Sequence, residues 1–425
     1  MVPRVVKGRS SAACAAIACA AIAVLAGCGS SARSKSSARA GANPLAGQAT
    51  PGGCAATVLA TLGKVAMRVY HEGVAGERTG SALYSIAHSI PLREAVEHDD
   101  PAAAQAAARA LVATGHMTNL KVMRGAQTLA DAGGPNALAP LRGSVLDASG
   151  SPVASFLASV WADEGFVAET DGIAEGMTAL RQNGRSIAGS FALPSGELPA
   201  QGALTVKGVR YRYTSFPAAV FPAGRLQVYV LKPASSIHKL CGPTARDTVV
   251  NTASRVASLI YAGEAGRRTL PQIRRVQRNR ALLRAVARRD PEATRKAIEA
   301  LLNQHIVRLR VSAGARLLSD VGGPYVLAPV RAPLRLNGRS IGSFVLSIQD
   351  DLGYQLLAQR LAGLKVVMHR GSQLVMSSLH PVPAHVPASG PFRYGGHDYN
   401  VFTLHAQAFP SGPLQITVLI PIPYS

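Results

Sequence analysis

Two pairs of side chains in the second half of the chain carry chemistry suited to holding a small molecule. Arg308 and Arg310 alternate with Val307, Leu309 and Val311, so both guanidiniums project from the polar side of one half-buried strand. A guanidinium fork matches a planar carboxylate. If that side borders a pocket, the ligand is an anion; if it meets solvent, the pair only solubilises. Asp351 and Tyr354 follow at a strand end just before a helix. Facing a pocket, they would pair with an ammonium or hydroxyl group, whereas the run Gln349-Asp350-Asp351 could equally cap the helix amides and favour its dipole. In the first half Asp163 keeps the carboxylate, and Phe166 stands where the phenol would be.

A catalytic set is missing. The chain has no His-Glu-x-x-His, no Gly-x4-Gly-Lys-Ser/Thr loop and no Cys-x2-Cys pair, and its one Gly-x-Ser-x-Gly run, Gly338-Arg-Ser-Ile-Gly342, falls in a hairpin phrase, not at the strand-to-helix turn of a nucleophile elbow. His369, His380, His385, His397 and His405 gather near the end, but among prolines and strand ends, without the spacing of one helix face. We therefore expect no enzyme, no cofactor and no metal site.

These residues sit within a duplication. Asp131-Ala-Gly-Gly-Pro135 returns as Asp320-Val-Gly-Gly-Pro324, Ser155-Phe156 as Ser343-Phe344, and Phe221-Pro222-Ala-Gly224 as Phe409-Pro410-Ser-Gly412. The offset stays at 188 or 189 positions, as 320 − 131 = 189 and 409 − 221 = 188 show. Two homologous domains follow, 54–240 and 241–425, each large enough for its own core.

Each copy opens with helical period: Val58, Leu62, Val65, Val69 and Tyr70 in one, Val249, Ala253, Val256, Ile260 and Tyr261 in the other. Asp290-Pro291 and Asp100-Pro101 are a helix cap followed by a first-turn proline. The period then drops to 2, with strands expected at 305–311, 327–336, 340–349, 364–369, 398–406 and 413–420, and a helix near 353–362. Asn337-Gly338 suits a type I′ hairpin, and the Asp-x-Gly-Gly-Pro runs read as tight turns, although a Gly-Gly backbone could also approach a ligand. The expected fold class is α+β: in each domain, long N-terminal helices pack on an antiparallel, PAS-like sheet.

Charge separates the copies. Residues 54–240 hold 16 Lys and Arg against 14 Asp and Glu, net +2, while residues 241–425 hold 23 against 9, net +14. Nine arginines fall between Arg267 and Arg289 with no acid among them, and Arg274, Arg275 and Arg278 centre this basic patch. An exported chain does not meet nucleic acid, so its counterpart is an anionic lipid surface, a wall polymer or a partner's acidic face, unless it is simply a solvated helix side.

Export is read from the first 27 residues: a basic start (Arg4, Lys7, Arg9), an apolar run from Ala12 to Ala26 and small residues before Cys28. Leu25-Ala26-Gly27-Cys28 resembles the lipobox of bacterial lipoproteins, which implies cleavage before Cys28 and acylation of that cysteine. Residues 28–53 then form a Ser/Ala/Gly-rich tether. Cys54 and Cys241 remain, at matching positions in a compartment that permits disulfides. A bridge and two separate thiols are both compatible with the sequence.

The order of elements, the compartment and the hairpin phrase Gly338-Arg-Ser-Ile-Gly342-Ser-Phe-Val345 resemble the Cache family, extracytoplasmic relatives of PAS sensors, over both copies. The resemblance implies binding of a small metabolite, such as a carboxylate or amino acid, between sheet and capping loops. The chain departs from the family in lacking its usual membrane-spanning helix and cytoplasmic output module, and the Arg-x-Trp-Tyr arrangement of amino-acid binders is absent. The expectation is a lipid-anchored, extracytoplasmic sensory protein. It would bind a small anionic or polar metabolite and report to a separate signalling or transport partner. The alternative is an envelope adaptor that grips anionic polymer, lipid or a partner through its basic second domain. Recognition is expected in the second copy, through Arg308, Arg310, Asp351 and Tyr354 with Asp163 as the first-copy counterpart, and support near the membrane in the first.

Overall fold

The computed structural model describes residues 53–114, 117–134, 136–266, 268–302 and 305–424. The signal segment, Cys28 and nearly all of the tether lie outside the described residues.

Among the described residues, the helices are α1 (Gly53–Ala75), α2 (Glu77–Ala87), α3 (Ile90–Glu97), α4 (Pro101–Thr114), α5 (Asp163–Ala174), α6 (Ala234–His238), α7 (Ala245–Ala265), α8 (Leu270–Arg278), α9 (Arg280–Ala287), α10 (Pro291–Leu302) and α11 (Asp351–Ala362). Their ends follow the local chemistry. Asp100 accepts hydrogen bonds from the amides of Ala102 and Ala103 at 2.9 Å and opens α4, and Asp290 accepts from Ala293 at 3.0 Å and opens α10. Thr244 and Asp247 form a reciprocal capping box on α7.

Each copy is α+β, and its longer strands divide into two antiparallel sheets, with a further two-stranded piece, 137–138 against 161–162, in the first copy. In the first copy a four-stranded sheet runs in the order 127–133, 119–124, 152–159, 141–146, and a five-stranded sheet in the order 185–189, 177–182, 225–233, 209–219, 201–206. The second copy repeats both, as 316–322, 308–313, 339–347, 330–336 and as 373–377, 365–370, 413–422, 397–407, 389–394. The Asn337-Gly338 hairpin joins Val330–Leu336 to Arg339–Ser347, with φ of +50° and +78° at the two turn residues. Gly133 and Gly322 have φ of +123° and +135°, and an added Cβ would lie 2.2 Å from the Thr118 carbonyl oxygen or 2.3 Å from that of Val307. The Gly-Gly pairs therefore serve the turn.

The copies share one core. Val58, Leu62, Val65 and Val69 of α1, spaced three and four apart, meet Ala253, Val256, Ala257 and Ile260 of α7, together with Phe166 of α5, Tyr354 of α11 and the inner faces of both five-stranded sheets. Each such aliphatic side chain contributes about 1.5–3 kcal/mol by leaving water. Helix α5 packs on α7 as well as on its own α1, and α11 packs on α1 as well as on α7. Two smaller cores lie apart, one between α2–α4 and the first four-stranded sheet, the other between α8–α10 and the second.

Cys54 and Cys241 form a disulfide, with Cα atoms 5.6 Å apart. The bridge joins the start of α1 to the residues just before α7. At the opposite end, Glu72 of α1 and Arg268 just beyond α7 line the same cavity, so the two long helices run parallel.

Candidate functional site

A cavity of about 670 Å³ lies where the copies meet, at the end of α1 and α7 remote from the disulfide. Glu169 of α5 and Leu357 of α11, equivalent positions since 357 − 169 = 188, both line it. The wall also takes Glu72, Glu77 and Arg78 from the α1–α2 junction, Arg268 from beyond α7, and Leu356, Arg360 and Leu361 from α11. Trp161, the chain's single tryptophan, completes it. A basin of about 460 Å³ adjoins it, sharing Glu72 and Arg360.

Local packing sets the tryptophan. Its Nε1 donates to the Val69 carbonyl at 3.2 Å, and a Cβ at Gly73 would lie 2.0 Å from its Cδ1. Only glycine at that turn of α1 lets the indole lie against the helix. The aromatic edge of Phe166 supports it from below, with centroids 6.3 Å apart at 76°.

The charges are arranged as crossed pairs between the copies. Arg268 reaches Glu169 of the first copy and, at 2.6 Å, Glu264 in the last turn of α7; Arg360 reaches Glu77 at 3.0 Å and Glu72 at 4.0 Å. Burial pushes the Glu264 carboxyl up, opposed by Arg268, and burial likewise pushes Glu72 up, opposed by Arg360 and Arg78. Arg78 makes no ion pair among the described residues. Carboxylates, guanidiniums, an indole and leucines thus share one wall. That combination can hold a polar or zwitterionic molecule with an apolar portion.

The residues singled out in the sequence are not brought together here. Tyr354 is fully buried, its hydroxyl donating to the Ala257 carbonyl at 3.4 Å and its ring meeting Tyr261 edge-on, so it joins α11 to α7 in the core. Asp351 is 4 % exposed, and burial, followed by the charge of Asp350, pushes its carboxyl up to about 6. The cap of α11 is its neighbour Asp350, which accepts from the Gly353 amide. Asp163 is buried too, accepting from the Glu164 amide at 2.7 Å. None of these three lines a described cavity.

Arg308 is committed within the fold. It grips Asp320 with two hydrogen bonds of 2.8 and 3.0 Å, donates to the Gly323 and Pro324 carbonyls, and lies 4.8 Å above the Phe409 ring. The aspartate of the Asp-x-Gly-Gly-Pro run is thus a partner for the strand's arginine. Arg310 lines a separate cavity of about 290 Å³. Of the basic patch, Arg274 and Arg278 are exposed on α8, while Arg275 turns inward to Gln272 and the Leu301 carbonyl.

The cavity between the copies was not signalled by any motif. The one available hint was Trp161 standing where the second copy has Gln349, a large aromatic in one copy only.

No family model matches the chain, and no curated protein does. Among solved structures it is similar to the periplasmic domain of LuxQ from Vibrio cholerae, at 12 % identity and TM-score 0.28, covering 39 % of this chain and 98 % of that one. It is also similar to the ligand-binding domain of the Pseudomonas fluorescens chemoreceptor CtaA in complex with L-isoleucine, at 10 % identity and TM-score 0.24, over 42 % and 96 % of the two chains. An extracellular ligand-binding receptor from Desulfohalobium retbaense gives 10 % identity and TM-score 0.25, over 52 % and 47 %. No described helix is long and apolar enough to cross a membrane.

Proposed function

We propose that the protein is a non-enzymatic, extracytoplasmic small-molecule-binding sensory protein, anchored through acylated Cys28, whose ligand sits in the cavity between the two copies. The observation that carries this reading is the 670 Å³ cavity walled by side chains of both copies, with charged, aromatic and aliphatic groups converging on it. A ligand there touches α1 and α2 of one copy and α11 of the other. Binding would therefore alter how the copies pack, which is the change a separate signalling or transport partner could read.

Trp161 makes the test direct. Titration with amino acids, organic acids and nucleosides should shift the chain's tryptophan emission, and the same compound should raise its melting temperature. A ligand at 100 times its dissociation constant adds about 2.7 kcal/mol of stability. Leu357→Phe, which narrows the cavity and leaves Trp161 the only indole, should abolish both effects. A broad screen with no hit, or a hit unmoved by that substitution, would remove the cavity from the reading.

A second reading, an envelope adaptor, is favoured by one specific observation. Arg274, Arg278, Arg280, Arg284, Arg288 and Arg289 are all exposed along α8, α9 and the residues after them, and none makes an ion pair among the described residues. Salt-sensitive retention on anionic vesicles, lost in Arg274→Gln/Arg278→Gln/Arg284→Gln, would support it. Retention unchanged by the triple substitution would count against it.

A further inference from the structure

We infer that the second copy carries a binding site of its own for a compact dianion, on the face of its four-stranded sheet turned away from α8–α10. Strands 308–313 and 330–336 flank strand 339–347, and Arg310 and Arg331 are both direct cross-strand partners of Val345. Directly opposed residues share a face of the sheet. The two arginines therefore rise on either side of one short valine, roughly 10 Å apart at the backbone with strands about 4.8 Å apart. Ser312 and Ser343, themselves cross-strand partners, continue this face, and Ser411 closes it from the Phe409-Pro410 turn. These groups line the cavity of about 290 Å³.

The donors here are uncommitted. The hydroxyls of Ser312, Ser343 and Ser411 make no hydrogen bond among the described residues, and Arg331 makes no ion pair. Arg310 approaches Asp320 only at 3.5 Å, because Arg308 holds both oxygens of that carboxylate at 2.8 and 3.0 Å. Three guanidiniums and one carboxylate leave a local charge of +2. A dicarboxylate or a phosphate monoester of small size meets that charge and the forked donors together.

The first copy shows what the same place looks like when filled. Lys121 and Arg142 flank Leu157 there, as Arg310 and Arg331 flank Val345, and Met123 stands opposite Ser155 where Ser312 stands opposite Ser343. Met123 and Leu157 pack with Ala137 and Phe221 into a small apolar cluster. From first copy to second, Met becomes Ser, Leu becomes Val, and Ala223 becomes Ser411. These three changes empty space or add a hydroxyl, while Ala137 becomes the larger Val326 beside Phe409.

The full chain is titrated calorimetrically with inorganic phosphate and, separately, with succinate, the two arms distinguishing a phosphoryl from a dicarboxylate preference. At least one should bind, with an affinity that falls as salt rises. Arg331→Gln should weaken it roughly tenfold or more. Ser312→Met/Val345→Leu should abolish it, and since the first copy holds those residues at the same positions, melting should show the fold retained. Met123→Ser/Leu157→Val should leave binding unchanged. Trp161 lies in the other cavity, so its emission should stay constant throughout, which separates this site from the one between the copies. Absence of binding by either probe at millimolar concentration, or binding indifferent to Ser312→Met/Val345→Leu, would overturn the inference.

Discussion

At Met123 the first copy closes the space beneath its Phe221-Pro222 turn with a thioether, and at Ser312 the second leaves it open. The backbone around the two positions is closely alike: the same four strands in the same order, the same glycine turn, and Ser159 and Ser347 each donating to the carbonyl of the residue that precedes a positive-φ alanine, Ala139 or Ala328. Such a scaffold tolerates a change of a few side chains on one sheet face, because its stability comes from elsewhere. The central helices α1, α5, α7 and α11 and the two five-stranded sheets form one continuous core to which both copies contribute. Each copy also has a core of its own between its four-stranded sheet and the helices around it, where side chains change without disturbing the shared one.

The largest expected effect probes that shared core. Phe166 and Tyr354 are equivalent, as 354 − 166 = 188, and both are fully buried in it. Phe166→Ala and Tyr354→Ala should each cost about 3–5 kcal/mol in denaturant unfolding, and each should lower a single transition that includes both copies. Two resolved transitions, with only one moved by each substitution, would mean that the copies are independent after all.

A smaller effect concerns the carboxylate of Asp351 at the start of α11. Asp351, held near 6 by burial against an ordinary value of 3.8, prefers to be protonated in the folded chain. The unfolded chain ionises first as pH rises, so stability falls from about pH 4 to about pH 6 and is level above, by about 1–3 kcal/mol in all. Asp351→Asn should flatten that slope and stabilise the chain at pH 7. Melting temperatures measured across this range decide it; an unchanged slope would show that Asp351 is already solvated when ionised.

The smallest effect concerns one oxygen atom. Tyr354→Phe removes a hydroxyl whose hydrogen bond is long, at 3.4 Å, and should cost under about 1 kcal/mol. The reciprocal Phe166→Tyr forces a hydroxyl into the other side of the core and should cost about 1–3 kcal/mol unless it finds a partner. Equal costs would show that the two helices sit in matching surroundings.

Much of this arrangement could be read from residue order. The constant offset announced two copies, the Asp-Pro pairs marked the starts of α4 and α10, and Asn337-Gly338 marked a hairpin, because each is a local rule satisfied within a few residues. The division of each copy's strands into two sheets was not visible, since a strand's period of 2 is the same whichever sheet it joins. Tyr354 and Asp351 lie one helical turn apart and so shared a face, but which way that face turned depended on α1 arriving from the other copy. Arg310 came out at a cavity wall while Arg308, two residues away on the same strand face, is held by Asp320 of the neighbouring strand. The cavity between the copies depends entirely on long-range packing, and no short segment encodes it.

The Cys54–Cys241 bridge spans 187 positions and encloses the first copy in a covalent ring. A peptidase cut within residues 55–240 would therefore leave the second copy still attached to everything before residue 54, through the sulfurs. A pull exerted from the N-terminal side would reach α7 by the same short route, at the foot of both long helices, without loading the folded chain between them. The first copy could thus be nicked without setting the second adrift.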